Sequence, residues 1–430
     1  MSGIRLEPLG RIRARPRVPG DKSISHRALI LNAIAGGSAT VSGLAPGLDV
    51  RSTAAALRAL GAGVETGPDG TTARVSGPAG WGASDTIDCG NSGTTARLLL
   101  GALAPRARDG VTLDGDASLR RRPMARVTDP LLGMGAGITA RGEPGRLPLE
   151  VRGRPLAGRR HRLAVASAQV KSAILLAGLG AEGETVVEEP AVSRDHTERM
   201  LAAMGARIET TEGRVRLEPG PIAAIDVAVP GDLSSAAFFL GLAAAGGGEA
   251  RIEGVGLNPG RTGFLALLGR FGAAVDVEPA DGGPEPRGVV TVRADGLAGI
   301  EVAPAEVPGS IDELPLVAVV ATQAEGETRV SGASELRVKE SDRIAAIVAG
   351  LSAMGAEIEP LADGFAVHGP TRLTGAALDA RGDHRIGMAL AVAASLARGP
   401  SMLTGAEWVD VSYPGFFAAL AGCGPARVWA

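Results

Sequence analysis

A short phrase recurs through the chain and sets the strongest limit on its fold. It reads Leu-Gly-Ala-Gly-Val at Leu60 to Val64, Met-Gly-Ala-Gly-Ile at Met134 to Ile138 and Met-Gly-Ala-Arg-Ile at Met204 to Ile208. It returns as Phe-Gly-Ala-Ala-Val at Phe271 to Val275, Met-Gly-Ala-Glu-Ile at Met354 to Ile358 and, more weakly, around Cys423 to Val428. Its glycines stand at positions 61, 135, 205, 272, 355 and 424. Six units of about 72 residues therefore fill the 430-residue chain, a period that suits one supersecondary element per unit.

Each marker ends a helical pattern, as in Thr53 to Leu60 or Arg343 to Met354, and a β-branched or alternating run follows. Glycine just past the last apolar turn predicts a left-handed helix C-cap, a conformation that is cheap only without a Cβ. Upstream in each unit lies a more apolar helix: Ser25 to Ala35, Thr94 to Leu103, Ala168 to Leu179, Ser234 to Ala245, Leu314 to Ala321 and Ile386 to Ala397. Short strands follow most of these, at Ala39 to Ser42, Thr185 to Glu188, Ala250 to Glu253 and Thr328 to Ser331. The unit reads as βαβαββ, with the apolar helix buried and the second helix, charged on one face, outside. A solenoid of six would have atypical polar caps, whereas the first unit here has one of the most motif-rich helix starts in the chain. Two globular α/β domains of three units each are expected, in keeping with a length beyond what one core usually serves.

Composition narrows the function classes. Lys+Arg 44 against Asp+Glu 47 gives a net charge of -3, which leaves no general attraction for nucleic acid or an anionic membrane. At 3% aromatic residues, base-stacking platforms have too little material. No signal-peptide core is visible at the N-terminus, and no apolar run reaches about 18 residues. Cys89 and Cys423 have no metal-type spacing. A cytoplasmic, reducing setting is expected, without membrane or metal. Within the 44 cations only Lys22, Lys171 and Lys339 are lysine. Where arginine is the default, a lysine marks a place that needs a compact, flexible, deprotonatable ammonium.

The apolar helices open on polar phrases: Gly20-Asp21-Lys22-Ser23-Ile24-Ser25-His26-Arg27, Gly90-Asn91-Ser92-Gly93-Thr94-Thr95-Ala96-Arg97 and Ser167-Ala168-Gln169-Val170-Lys171-Ser172. The later three are Gly231-Asp232-Leu233-Ser234-Ser235, Ser310-Ile311-Asp312-Glu313 and Asp383-His384-Arg385. N-capping accounts for an isolated Ser, Asp or Asn, and for Ser234 and Ser235 in particular. It does not account for Lys22, Arg27, Arg97 and Arg385 near helix starts, where the positive helix end repels cations. Anionic ligands cancel that repulsion, and a helix N-terminus with its free N–H groups suits a phosphate or carboxylate. Small substrates with several negative charges are implied. A nucleotide phosphate loop does not fit, because Asp21 interrupts the Gly-Lys pair and Arg15 stands where the upstream glycine belongs. No Gly-x-Gly-x-x-Gly follows a strand, so a dinucleotide fold has no support. The densest constellation is Glu335-Leu336-Arg337-Val338-Lys339-Glu340-Ser341-Asp342-Arg343. Read by charge alone it is a solvated turn leading into a helix.

The strings PGDKSISHR, GNSGTTARL, GDASLRRRPM, SAQVKSAILLAGL, SRDHTERM, IDELP, LRVKESDRI and DHRIGMAL together resemble the 5-enolpyruvylshikimate-3-phosphate synthase family of carboxyvinyltransferases. The resemblance implies the inside-out α/β barrel of the enolpyruvyl transferases, two domains of three βαβαββ repeats closing around substrates. One domain would be 20–229 and the other 1–19 plus 230–430, with the active site in the cleft between them. The family's reaction moves the enolpyruvyl group of phosphoenolpyruvate to the 5-hydroxyl of shikimate 3-phosphate and releases phosphate. It implies no metal and no organic cofactor, and a monomer is expected. Protonation at C3, attack at C2 and elimination call for a carboxylate and an ammonium that exchange proton roles.

Carried over position by position, the resemblance assigns Asp312 to the 5-hydroxyl and Glu340 to the C3 proton, with Lys22 close to both. Shikimate 3-phosphate would meet Lys22, Ser23, Arg27, Ser167, Ala168, Gln169, Arg194, Asp312 and Lys339. Phosphoenolpyruvate would meet Lys22, Gly93, Arg122, Gln169, Arg343, His384 and Arg385, with Arg343 and Arg385 forking onto the carboxylate and Lys22 and Arg122 facing the phosphate. Lys171 matches no family ligand and is expected to snorkel from its helix. Three positions bear on how closely the pattern is kept. The stretch Asp410-Val411-Ser412-Tyr413-Pro414 lacks the lysine some members have there, and Glu335 replaces an asparagine. Gly93 matches members inhibited by glyphosate. The sister enzyme that acts on UDP-N-acetylglucosamine fits less well, since Asp116 to Pro123 lacks its loop cysteine and Lys22-Ser23 favours shikimate phosphate. A noncatalytic scaffold would have lost these carboxylates and cations, and all are present.

Overall fold

The computed structural model describes residues 3–78, 80–81, 85–280, 283–294 and 296–425. Ala426 to Val428, the end of the weakest copy of the repeated phrase, lies outside the described residues. The chain divides into two compact units. One comprises Met1–Pro19, Pro230–Asp281 and Pro286–Ala430, and the other Gly20–Val229 with Gly282–Glu285. They are called here the 230–430 unit and the 20–229 unit.

Six apolar helices form the framework. In the 20–229 unit they are α1 (Lys22–Ile34), α2 (Gly93–Leu103) and α3 (Ala168–Gly178). In the 230–430 unit they are α4 (Leu233–Ala245), α5 (Leu314–Ala321) and α6 (His384–Leu396). Each carries apolar residues on nearly every side, so it must be enclosed rather than laid on a surface. Every residue of α5 is buried, and on α4 only the last, Ala245, is not. Two separate apolar cores result, one per unit.

Around each core the repeat builds small sheets with one pattern. In the 20–229 unit the orders are Val227–Ala228, Ser38–Ser42, Thr72–Ser76, Gly63–Thr66, then Thr86–Asp88, Val111–Asp114, Leu149–Arg152, Gly137–Ala140, and finally Arg160–Arg162, Thr185–Glu188, Arg214–Leu217, Ile208–Thr211. The first two strands of each sheet are parallel and the remaining pairs antiparallel. In the second and third repeats the parallel pair is joined across an apolar helix, as parallel strands require, and the last two strands form a hairpin. The first repeat differs in where its leading strand comes from. Val227–Ala228, at the far end of the unit's chain, pairs with Ser38–Ser42 and ties the three repeats end to end.

The 230–430 unit repeats the device from the other direction. Arg13–Ala14 leads the sheet Glu249–Gly256, Arg287–Arg293, Ala274–Ala280, and Glu301–Val302 leads Gly326–Val330, Gly364–Gly369, Glu357–Leu361. The sixth repeat corrects the uniform βαβαββ expectation. Ala377–Asp379 and Ser401–Thr404 run parallel, but the next partner is Gly3–Leu6, antiparallel, from the chain start. The N-terminal strand takes the place of a hairpin that the described residues after 404 do not supply.

The marker glycines show the same exception. Gly61, Gly135, Gly205, Gly272 and Gly355 take φ of 93°, 100°, 86°, 101° and 90° at the ends of their helices, the left-handed cap expected of them. Gly424 does not, and a Cβ there would lie 2.9 Å from the Leu9 carbonyl oxygen. A second correction concerns α4. Its cap is Asp232, whose carboxylate accepts from the Ser234 backbone N–H at 2.8 Å. The Ser234 hydroxyl is turned elsewhere: it donates to Glu313 and accepts from Arg261 at 2.8 Å.

Helix α2 packs on both α1 and α3. Gly101 makes the α2–α3 approach possible, because a Cβ there would sit 2.1 Å from the Ala173 carbonyl oxygen and 2.7 Å from its Cα. Those atoms are backbone and cannot rotate away, so a methyl group forces the helices apart. Gly101→Ala is expected to destabilise the protein by about 1–3 kcal/mol, the range for overpacked cores. A thermal melt reads this as a fall of several degrees, and an unchanged midpoint would refute the close helix approach.

Candidate active site

The polar phrases at the helix starts become two sets of side chains, one in each unit. In the 20–229 unit, Asp21 caps α1 by accepting from the Ile24 N–H at 2.9 Å. That carboxylate offsets part of the repulsion felt by Lys22 at the first helical position. Lys22 Nζ also pairs with Asp49 Oδ2 at 2.9 Å, and the two side chains are 21% and 12% exposed. Asp49 was not legible as a partner, because it sits at the start of the next helix with no distinctive motif around it.

Arg27 is held differently. Its Nε donates to Thr197 Oγ1 at 2.8 Å, Nη2 to Ser172 Oγ at 2.8 Å and Nη1 to the Ser23 carbonyl at 2.9 Å. All three acceptors are neutral. Burial pulls the Arg27 pKa down to about 10, so it stays a cation at neutral pH. Its direct partners are neutral, while Glu198 and Asp21 act on its charge without a hydrogen bond and partly offset the effect of burial.

The start of α2 is positioned by a buried chain of hydroxyls. His26 Nδ1 lies 2.6 Å from Thr53 Oγ1, Thr53 Oγ1 lies 2.6 Å from Thr95 Oγ1, and Thr95 donates to Ser92 Oγ at 2.7 Å. Each hydroxyl has one proton. If Thr95 gives its proton to Ser92, Thr53 gives its own to Thr95, and the His26 Nδ1–H donates to Thr53. Ser92 caps α2, so the chain runs from the α1 core to the residue before Gly93.

At Gly93 several groups converge. A Cβ there would lie 2.7 Å from Arg97 Nη1 and 3.4 Å from Arg122 Nη1. Arg97 donates to Gln169 Oε1 at 2.8 Å, and Gln169 donates to Thr94 Oγ1 at 2.9 Å. Arg122 donates to Asn91 Oδ1 at 2.8 Å, and Asn91 donates to Asp116 at 2.6 Å. The structure thus brings Gly93, Arg122 and Gln169 together and adds Arg97, Asn91 and Thr94. Ser167 caps α3, with Ala168 and Gln169 opening the helix. Arg194 is half-buried, in the segment before the helix His196–Ala203.

In the 230–430 unit, Arg343 is the organising group. It opens the helix Arg343–Ala353, capped by Asp342, and is 2% exposed. Its Nε donates to Asp383 Oδ2 at 2.8 Å, Nη2 to Glu340 Oε2 at 2.7 Å and Nη1 to Asp312 Oδ1 at 3.4 Å. Burial opposes its charge, but Asp383, Glu340 and Asp312 outweigh burial and raise its pKa. Arg261 lies on the other side of Asp312, with Nη1 3.8 Å from Oδ2, and donates to Asp232 Oδ1 at 2.8 Å. Arg261 did not stand out as part of this cluster, since a lone Arg in a loop carries no motif, and Asp383 stood in the DHRIGMAL string without a role assigned to it.

Asp383 also caps α6 by accepting from the Arg385 N–H at 2.8 Å. His384 and Arg385 are buried, and Arg385 Nη1 has no hydrogen-bond partner among the described residues. Lys339 pairs with Glu335 at 3.1 Å, so the glutamate that departs from the family pattern lies against the Lys339 ammonium. Lys171 corrects an expectation: its ammonium does not snorkel. It is 2% exposed and lies 2.6 Å from Glu189 and 2.7 Å from Glu198.

Comparison with known proteins agrees over nearly the whole chain. The profile of the EPSP synthase (3-phosphoshikimate 1-carboxyvinyltransferase) family matches residues 6–420. The chain belongs to the EPSP synthase family. A 3-phosphoshikimate 1-carboxyvinyltransferase of Anaeromyxobacter sp. (strain Fw109-5) is 51% identical over 416 residues, 96% of each chain. One from Synechococcus sp. (strain CC9605) is 49% identical, again over 96% of both. Among solved structures, the EPSP synthase from Acinetobacter baumannii superposes with a TM-score of 0.86 at 39% identity, covering 98% of each chain. The enolpyruvyl transferase NikO from Streptomyces tendae, at 19% identity and a TM-score of 0.81, shares the fold.

Within this EPSP synthase architecture the hydroxyl chain has a pH signature. Burial, with Lys22 and Arg27 nearby, lowers the His26 pKa to about 3, against a partial opposing effect of Asp49 and Asp21. Between pH 6.5 and 3 the unfolded chain therefore binds a proton at this residue that the folded chain does not. Stability from this source is full above pH 6.5 and declines on acidification by about 1.4 kcal/mol per pH unit. Urea unfolding of the wild type and His26→Asn at pH 7, 6 and 5 is expected to show the steeper decline in the wild type. Equal slopes would mean that His26 titrates normally.

Proposed function

We propose that this chain transfers the enolpyruvyl group of phosphoenolpyruvate to the 5-hydroxyl of shikimate 3-phosphate, acting as a cytoplasmic monomer, by addition and then elimination through a tetrahedral intermediate. Asp312 takes the proton of the 5-hydroxyl as that oxygen attacks C2. Glu340 delivers a proton to C3 and later recovers one, while Lys22 supplies the ammonium that exchanges proton roles with them. Loss of the C3 proton and of phosphate completes the reaction. A carboxylate positioned at the transferring proton typically contributes 100- to 10,000-fold in rate.

The observation that carries this reading is the meeting of Asp312 and Glu340 at one guanidinium. Arg343 Nη1 and Nη2 reach them at 3.4 and 2.7 Å, so two acids from separate strings share a fixed anchor. Fixing both carboxylates before substrate arrives suits reactions in which small misplacements are expensive.

For binding, shikimate 3-phosphate falls to Lys22, Ser23, Arg27, Ser167, Ala168, Gln169, Arg194, Asp312 and Lys339. Arg27 supports this best, since its hydrogen-bond partners are neutral. Phosphoenolpyruvate falls to Lys22, Gly93, Arg122, Gln169, Arg343, His384 and Arg385. Arg385 supports it through a buried Nη1 that has no hydrogen-bond partner among the described residues, and such a group is costly unless a ligand satisfies it.

Two experiments test the assignment. Asp312→Ala is expected to lower kcat by about 100-fold or more while shikimate 3-phosphate still binds. Phosphate release from phosphoenolpyruvate should require shikimate 3-phosphate as acceptor. Normal turnover in the variant removes Asp312 from the proton transfer, and activity only with UDP-N-acetylglucosamine would overturn the substrate. Gly93→Ala places a methyl group against the Arg97 and Arg122 guanidiniums. Because both are mobile side-chain ends, folding should be unaffected while the KM for phosphoenolpyruvate rises about tenfold, a loss near 1.4 kcal/mol. An unchanged KM would show that the site tolerates the methyl group.

A further inference from the structure

Lys171 stands on α3, a helix whose other buried positions are Val, Ser, Ala, Ile, Leu and Gly. Its ammonium is enclosed with two carboxylates, Glu189 at 2.6 Å and Glu198 at 2.7 Å, and the side chains are 2%, 3% and 4% exposed. The ammonium also donates to the Ser193 carbonyl at 3.4 Å. Glu189 in turn accepts from the Ser193 hydroxyl and, at 3.4 Å, from the Ser193 N–H. One cation therefore holds three points of the 189–198 segment, from the end of a strand to the first turn of the helix His196–Ala203.

That segment leads directly to Arg27. Thr197, next to Glu198, accepts from Arg27 Nε at 2.8 Å. Ser172, next to Lys171, accepts from Arg27 Nη2 at 2.8 Å, and Ser172 and Thr197 are themselves 2.7 Å apart. Arg194 lies inside the segment, one residue after Ser193. The ion cluster and the Arg27 cradle are thus adjacent in both segments that form them, so a shift of the cluster moves two of the three Arg27 acceptors, Thr197 and Ser172.

We propose that Lys171 is a positioning residue for the shikimate 3-phosphate subsite: by clasping Glu189 and Glu198 it sets the place of Thr197 and Arg194, and with Ser172 the direction of the Arg27 guanidinium. This rests on the reading above that Arg27 and Arg194 bind shikimate 3-phosphate. A buried ion cluster is a weak source of stability, because well-packed neutral residues of similar size do as well. What the charges add is a single arrangement, since each carboxylate must point at the ammonium. Burial raises the Glu198 pKa more than Lys171 lowers it, whereas the two carboxylates outweigh burial at Lys171 and raise its pKa.

The test uses the full-length enzyme and a variant that removes all three charges at similar volume: Lys171→Met with Glu189→Gln and Glu198→Gln. Circular dichroism checks that it is folded. The expected result is a KM for shikimate 3-phosphate raised about tenfold or more, with kcat at saturation within about threefold of wild type and the KM for phosphoenolpyruvate unchanged. A purely structural cluster would leave that ratio between the two substrates alone. Glu198→Gln, which leaves the ammonium in place with Glu189, is the milder second variant and should raise the same KM by about threefold. Folded variants with a wild-type KM for shikimate 3-phosphate overturn the proposal. Arg194→Ala is run beside them: if it raises that KM and the cluster variants do not, the clasp fails and the subsite stands. If Arg194→Ala leaves the KM unchanged, the subsite reading fails and the clasp with it.

Discussion

A helix enclosed by apolar neighbours along its whole length can present charge in only one inexpensive place, its ends. The six inner helices of this chain meet that condition. Their N-termini leave backbone N–H groups without intrahelical partners, so the same burial that excludes polar groups from the helix bodies gathers them at the starts. Asp21, Ser92, Ser167, Asp232 and Asp383 satisfy those N–H groups as caps. The candidate substrate-binding side chains follow within a turn or stand on the loops that pack there.

The cations at these places differ in what they face. Arg343 is surrounded by Asp383, Glu340 and Asp312, and Lys22 faces Asp49. Such groups orient carboxylates as much as they offer positive charge. Arg27 instead donates to two hydroxyls and a carbonyl, with no carboxylate among these partners. Asp383 links the two kinds of task, because one carboxylate caps α6, holds Arg343 and accepts from Ser341. The overall charge of -3 gives no hint of this division, since it sums carboxylates and guanidiniums that are locally matched.

Much of the architecture was legible because it rests on short-range rules. The repeated phrase marks helix ends wherever a glycine must take positive φ, and five of the six markers do so. The apolar helices were visible from their composition alone. The sixth repeat was misread because its sheet is completed by Gly3–Leu6, a pairing between opposite ends of the chain that no local pattern encodes. Ser234 was misassigned for a related reason. Either Asp232 or Ser234 can cap a helix, and the choice depended on Glu313 and Arg261, distant in sequence, which engage the serine hydroxyl.

At the candidate site the sequence by itself determined which chemical groups are available: the helix-start strings, the rare lysines and the acids of IDELP and LRVKESDRI. Those strings also sufficed to indicate the EPSP synthase family. Tertiary structure decided which of these groups meet. Only folding brings Asp312 and Glu340 to opposite nitrogens of Arg343, sets Asp49 against Lys22, and turns Lys171 inward to Glu189 and Glu198 instead of outward to water. Hydrogen bonds and ion pairs act over a few ångströms, and in a chain of six similar units many residues separated by dozens of positions are equally eligible partners. Sequence specifies the groups through local propensity and burial pattern, while the pairing among them is fixed only when the cores pack and bring particular carboxylates to Arg343 and Lys171.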